Sequence, residues 1–132
     1  MQNITIHTTE STGLINITKK VDKIIKESDV KNGLCYLFVP HTTAAVTINE
    51  SADPDVVSDM IMELNKVIPF KDNYRHMEGN SAAHIKASII GSTEIIFIAD
   101  GNLQLGTWQG IFFCEFDGPR TRQVWIKIVP DQ

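Results

Sequence analysis

Apolar residues in this chain come in short runs, and turn-forming residues cut every run short. Leu34–Val39 is continuous and apolar and stops at Pro40; Ala44–Ile48, Glu94–Ala99, Gln109–Phe116 and Gln123–Val129 follow the same plan. Their β-branched and aromatic content is that of strands. Asn32-Gly33, Asp100-Gly101-Asn102 and Asp117-Gly118 separate them, and the last of these reads as a hairpin turn joining its two neighbours. Two further strands are expected at Asn3–Thr9, where Ile4 and Ile6 alternate with polar residues, and at Gly13–Ile17; a short one is expected at Leu103–Leu105.

Three segments have helical rather than strand periodicity. Thr18 is placed to cap a helix through Ser28 that carries Val21, Ile24 and Ile25 on one face. Asp53-Pro54 is a capping carboxylate followed by proline at the first helical position, and the stripe Val56, Val57, Met60, Ile61, Leu64 runs on to Val67. Asn80 or Ser81 opens a third helix through Ile90, closed by Gly91. Lys71–Gly79 lacks periodicity and reads as a loop. Strands outnumber helices and connections are short, so the expected fold class is α+β: a mainly antiparallel β-sandwich with about three packed helices, in one domain over residues 1–132.

Composition narrows the function classes. With 132 residues, 42% of them hydrophobic, the chain can build one core without a structural metal or disulfide. A net charge of −4 and the lack of a basic run argue against nucleic acid, where affinity comes from Lys and Arg on phosphates. No stretch is apolar for long enough to span a membrane, and the start of the chain lacks the features of a signal peptide. A cytoplasmic protein with Cys35 and Cys114 reduced and buried is the expectation.

Three groups of residues carry chemistry. The first is His41, which with Thr42 and Thr43 follows a buried strand at Pro40, a rigid place for a binding group. His84 lies on the third helix with Asn80 and Ser88 one turn to either side, and His76 sits in the preceding loop. Imidazole is both the commonest metal ligand and the usual near-neutral acid or base. His7 falls on the polar side of a strand and is given no role. The second group is Gln104, Thr107, Trp108 and Gln109, where amides and a hydroxyl flank a flat aromatic face suited to stacking. The third is Glu115 through Arg122. Arg120 and Arg122 either fork onto a phosphate or carboxylate, or pair with Glu115 and Asp117. Glu50, Asp53 and Glu115 are the carboxylates placed to act as a base or to support a histidine.

Taken together, His41-Thr42-Thr43, Asn49-Glu50, Tyr74–His76, Asn80 with Ala83-His84, Gly101–Gln109 and the Glu115–Arg122 run resemble the YjbQ-like family over nearly the whole chain. One departure is Gly79 before Asn80, where Asp is expected in many members. The resemblance implies an α+β sandwich assembled as a homotrimer, with a metal-binding histidine site near a subunit interface that maps onto His41, His76 and His84. It also implies a weak thiamine-phosphate synthase activity, which joins an aminopyrimidine diphosphate to a thiazole phosphate and releases diphosphate. On that reading a divalent metal, zinc or, with a diphosphate substrate, magnesium, sits on the histidines. Glu50, Glu115 and Arg120 act in catalysis, and Asn80, Gln104, Thr107, Trp108, Gln109 and Arg122 bind a phosphorylated small molecule. Two other readings use the same residues: a metal-dependent hydrolase, and a non-catalytic trimer that binds a small ligand or metal.

Overall fold

The fold was described from a computed structural model covering residues 1–132. Eight strands form two antiparallel sheets. They are β1 (Gln2–His7), β2 (Gly13–Asn16), β3 (Gly33–Phe38), β4 (Ala44–Glu50), β5 (Thr93–Ala99), β6 (Asn102–Leu103), β7 (Gln109–Glu115) and β8 (Thr121–Pro130). The larger sheet has the order β1-β8-β3-β5-β6 and the smaller β2-β7-β4, and every pairing is antiparallel. The helices are α1 (Thr18–Ser28), α2 (Pro54–Val67) and α3 (Ser81–Ile90). The α+β sandwich expected from sequence is therefore the observed architecture.

The main core lies between the sheets. Ile4, Ile6, Cys35, Leu37, Ile96, Ile98, Val124 and Ile126 face it from the large sheet; Ala44, Val46, Ile111 and Phe113 from the small one; Val21 and Ile25 from α1, with Ile17 just before it. A second cluster, Ala45, Ala83, Ala87, Cys114 and Phe116, seats α3 on the other face of the small sheet. β7 is thus covered on both faces. That explains why Gly110–Glu115 is buried without interruption, whereas most strands of the large sheet alternate. Cys35 and Cys114 are free and buried, and burial pushes their thiols up to about 11 and about 12.

Local signals held where the capping chemistry was explicit. Asp53 accepts a hydrogen bond from the Asp55 N–H at 2.9 Å with Pro54 at the first turn, and Gly91 ends α3 at φ 101°. At α1 the cap is displaced. Asn16 Oδ1 accepts from the N–H and hydroxyl of Thr18, and Thr18 Oγ1 accepts from the Ile111 N–H, tying the helix start to β7. The strand expected at Leu103–Leu105 is only Asn102–Leu103. The hairpin expected at Asp117-Gly118 is not formed. β7 belongs to the small sheet and β8 to the large one, so Phe116–Arg120 is a crossing between sheets. Gly118 is required there, since a Cβ would lie 2.2 Å from the Glu10 carbonyl oxygen.

Two features of this packing matter below. The outer face of the large sheet is left with apolar side chains: Tyr36, Phe38, Ile95, Phe97, Trp125 and Val129 are all exposed, and Phe38 stacks on Trp125 with ring centroids 5.7 Å apart. Lys86 of α3 is 0% exposed. Its ammonium donates to Asn65 Oδ1 at 2.5 Å and sits 4.5 Å from the centre of the Phe70 ring, with no carboxylate partner. No helix is long and apolar enough to cross a membrane.

Burial lowers the Lys86 pKa below the ordinary 10.5. The unfolded chain therefore holds that proton more tightly than the folded one, and stability rises as pH climbs from the folded value towards 10.5. Urea unfolding of wild type and Lys86→Met at pH 7 and pH 10 is expected to shift the difference in favour of wild type at the higher pH. A difference independent of pH would show that the ammonium is not held under strain.

Candidate functional site

The three histidines converge on one cleft. His41 lies just beyond β3, where Pro40 breaks the strand; His84 projects from α3; His76 stands in the loop before it. The cleft has a volume of about 510 Å³, and Pro40 is the one apolar side chain in its lining. His41, His76, His84, Asn80, Arg120 and Arg122 all border it, with Thr42, Thr43, Glu78 and Asp117. The rings of His76 and His84 meet edge to face at 5.5 Å between centroids. A second hollow of about 340 Å³, shared by His41 and His84, extends along α3 to Ser88 and Ser92. The polar stripe read on α3 from Asn80 through His84 to Ser88 is thus a cleft wall.

A buried ion pair forms the floor. Arg122 Nη2 donates to Glu115 Oε2 at 2.5 Å and Arg122 Nε to Glu115 Oε1 at 2.9 Å, so the guanidinium and carboxylate are bidentate across the gap between the sheets. The hydroxyl of Thr8 donates to Glu115 Oε1 and the Asp117 N–H to Oε2, while Arg122 Nη2 also reaches Thr43 Oγ1 at 2.8 Å. Burial alone would raise the Glu115 carboxyl. Hydrogen bonds from Arg122, Thr8 and the Asp117 N–H, with the Arg122 charge, outweigh it and hold the group below the usual carboxylate range. Nearer the mouth, Arg120 donates from Nε to the Asp117 carbonyl and from Nη2 to Asp117 Oδ2 at 3.0 Å. Of the two roles open to the arginines, pairing with Glu115 and Asp117 is realised, although the hairpin is not.

His41 has a defined tautomer. Its Nε2 accepts from the backbone N–H of Gln123 at 2.9 Å, and a backbone N–H can only donate. The neutral ring therefore carries its proton on Nδ1. Burial first, and the nearby Arg122 guanidinium second, push this imidazole below its usual range, and the Glu115 carboxylate acts the other way. Asn80 Nδ2 donates to Asp117 Oδ2 at 2.9 Å, which leaves its Oδ1 shielded from water and without a partner at the cleft edge.

A resident divalent metal is what the resemblance implies here. The donor set, as the single chain holds it, does not fit one. Nε2 of His41 is already occupied, and no three His, Cys, Asp or Glu side chains gather closely enough to share an ion.

Other expected site residues stand apart. Glu115 is 0% exposed with both oxygens hydrogen-bonded, so it supports the floor and has no free lone pair facing substrate. Glu50 is at the far end of β4, about 20 Å along the strand from Ala44 beside the cleft, and its Oε2 caps the Ala52 N–H. Thr107, Trp108 and Gln109 share that far end, where Gln109 pairs with Glu50 and Trp108 is 64% exposed. Gln104 holds the β5–β6 turn through its amide. In one chain none of these borders the histidine cleft. Thr8 and the Gln123 N–H were missed, because their roles depend on pairings between distant strands and no local pattern marks them; Thr43 was singled out beside His41, but not its bond to Arg122.

The fold and cleft define a class: small α+β sandwiches with a polar histidine cleft at the edge of two antiparallel sheets. A family model described as UPF0047 protein YjbQ-like matches residues 2–131. The UPF0047 protein YugU of Bacillus subtilis is 46% identical over 130 residues, covering 98% of both chains. A UPF0047 protein of Methanocaldococcus jannaschii is 51% identical over 96% of this chain and 92% of its own. A crystal structure of a YjbQ/UPF0047 protein from Clostridium acetobutylicum superposes with a TM-score of 0.96 at 51% identity, covering 98% of this chain and all of that one. One from Sulfolobus solfataricus, described as of unknown function, gives 0.94 at 32% identity over 98% and 96%. The chain belongs to the YjbQ-like UPF0047 family.

Replacing Glu115 by Gln leaves the Arg122 guanidinium buried without its counter-charge, a loss of about 3–5 kcal/mol for a broken buried pair. A lowered carboxyl contributes stability that is complete above the unfolded value near 4.5 and disappears as pH falls through the folded one. Wild type is thus expected to lose stability towards Glu115→Gln on acidification, read as converging urea midpoints. A variant within 1 kcal/mol of wild type at pH 7 would remove the pair from its structural role.

Proposed function

We propose that the histidine cleft binds the phosphate or diphosphate of a small phosphorylated molecule, and that its chemistry is a low-rate group transfer of the thiamine-phosphate synthase kind. The observation that carries this reading is the lining: three imidazoles and two guanidiniums, against the carboxylates of Glu78 and Asp117, around a cleft of about 510 Å³ completed by Pro40, Thr42, Thr43 and Asn80. Such a surface suits a highly charged oxyanion better than an apolar ring.

In that transfer the bond between the pyrimidine methylene carbon and the diphosphate oxygen breaks. Its electron pair leaves with diphosphate, and the thiazole ring nitrogen forms the new bond to the methylene carbon. The need is for N–H donors on the departing oxygens, which Arg120 and the histidines would supply. Neither Glu50 nor Glu115 is required as a base, because no proton is removed from the nitrogen that attacks. Trp108 lies away from the cleft within the same chain and takes no part in this scheme.

Assays with both substrates, in EDTA, zinc or magnesium, compare wild type with Arg120→Met and His84→Ala. Wild type is expected to form thiamine phosphate slowly, and each variant to lose roughly tenfold or more, the loss of one charged hydrogen bond. No product where a true synthase turns over would sink the transferase reading; diphosphate binding without product would leave the non-catalytic one.

The proposal includes a homotrimer. Its support is the outer face of the large sheet, where exposed Phe38, Ile95, Phe97 and Trp125 form a patch of the kind that monomers rarely leave uncovered. Sedimentation of the wild type is expected at about three times the chain mass of 14.8 kDa, and of Phe97→Glu at the monomer mass. A wild-type monomer would end this part of the reading.

A further inference from the structure

Three donors bordering the cleft have no partner in the chain. Nε2 of His41 is held by the Gln123 N–H, so the ring's only proton is on Nδ1, which makes no hydrogen bond within the protein. Arg122 uses Nε and Nη2 on Glu115 and Thr43, which leaves Nη1. Arg120 uses Nε and Nη2 on Asp117, which again leaves Nη1. All three residues border the same cleft.

The charges around them are accounted for. Glu115 is paired with Arg122, and Asp117 is held by Arg120 and Asn80. Glu78, on the loop side, is the remaining carboxylate, 3.9 Å from His76 Nε2. The acceptors left at the cleft are Asn80 Oδ1 and Glu78, while His41 itself offers a ligand an N–H and not a lone pair.

We infer that His41 contacts ligand as an N–H donor and is not a metal ligand, so that the cleft takes a phosphate or diphosphate oxyanion directly, through His41 Nδ1–H with the free Nη1 groups of Arg122 and Arg120. This rests on the reading of the cleft as the phosphate site and adds which atom of His41 acts and that no bridging metal is needed. A metal on His41 would need a lone pair on Nδ1, and so would require loss of the ring's only proton or a reversal of the ring that abandons Gln123.

Two substitutions separate the ring's two nitrogens. In His41→Gln the side-chain oxygen can take the place of Nε2 and still accept from Gln123, while the Nδ1 donor is lost. In His41→Asn the amide NH2 stands near Nδ1, while the acceptor for Gln123 is lost. Inorganic diphosphate binding is measured by calorimetry on the full chain, with EDTA and then with zinc, and unfolding midpoints are recorded for each variant. The expected result is diphosphate binding in EDTA, weakened roughly tenfold in His41→Gln and less than threefold in His41→Asn, with the larger loss of midpoint in His41→Asn. Binding that appears only with zinc, or falls equally in both variants, overturns the inference and leaves the phosphate site standing. No binding under either condition overturns both.

Discussion

The bidentate contact between Glu115 and Arg122 is the interaction on which the site depends. Glu115 ends the central strand of the small sheet and Arg122 lies at the start of β8, between β1 and β3 of the large one, so one ion pair fixes how the sheets meet at that edge. With Glu115 0% and Arg122 4% exposed, both ions have lost their hydration. Such burial is tolerated only when every oxygen and most N–H groups are satisfied, and Thr8, Thr43 and the Asp117 N–H supply the remaining bonds. The consequence for function is geometric. The backbone of Gln123 follows directly on Arg122, and its N–H orients His41; Thr43, two residues beyond His41, is held by the same guanidinium.

The sequence carried the parts of this arrangement that local chemistry determines. Asp53-Pro54, Gly91 and the alternation in β1 each act within a few residues, and each produced the expected element. The continuous apolar run Ile111–Phe116 was legible as a strand. Its burial on both faces was not, because that follows from α3 lying on the far side. The Asp117-Gly118 turn is the instructive failure. Aspartate and glycine between two apolar runs signal a change of direction, and the chain does turn there. Whether the second run pairs with the first or leaves for another sheet is decided by what else can pair. Here β1 and β3 flank β8, and β2 and β4 flank β7, so neither strand had an edge left for the other.

The same distinction governs the site. That His41, His76 and His84 share a cleft was suggested by residue type and resemblance, and the chain brings them together from a strand end, a loop and a helix. Which nitrogen of His41 faces the cleft was beyond any spacing rule, since it depends on a backbone N–H 82 positions away. Likewise the sequence left Arg120 and Arg122 open either to clamp a phosphate or to pair with Glu115 and Asp117, and only the side-chain contacts decide for the pairing. Lys86 gave no signal at all: a lysine two residues from a site histidine would ordinarily be solvated, yet Asn65, Phe70 and Phe116 enclose it and so fasten α2 and the following loop to the helix that carries His84.

The apolar outer face of the large sheet runs up to this cleft. Phe38 and Trp125 stack at one end of it, three residues before His41 and two after Gln123. The strand segment that presents this aromatic pair outwards is thus the same one that presents the imidazole and its backbone partner at the edge. Alternation along a strand puts successive side chains on opposite faces, so the geometry that buries Leu37 and Val124 in the core is what turns Phe38 and Trp125 outwards beside the site. Core packing, the uncovered face and the edge chemistry are therefore consequences of one register between β3 and β8.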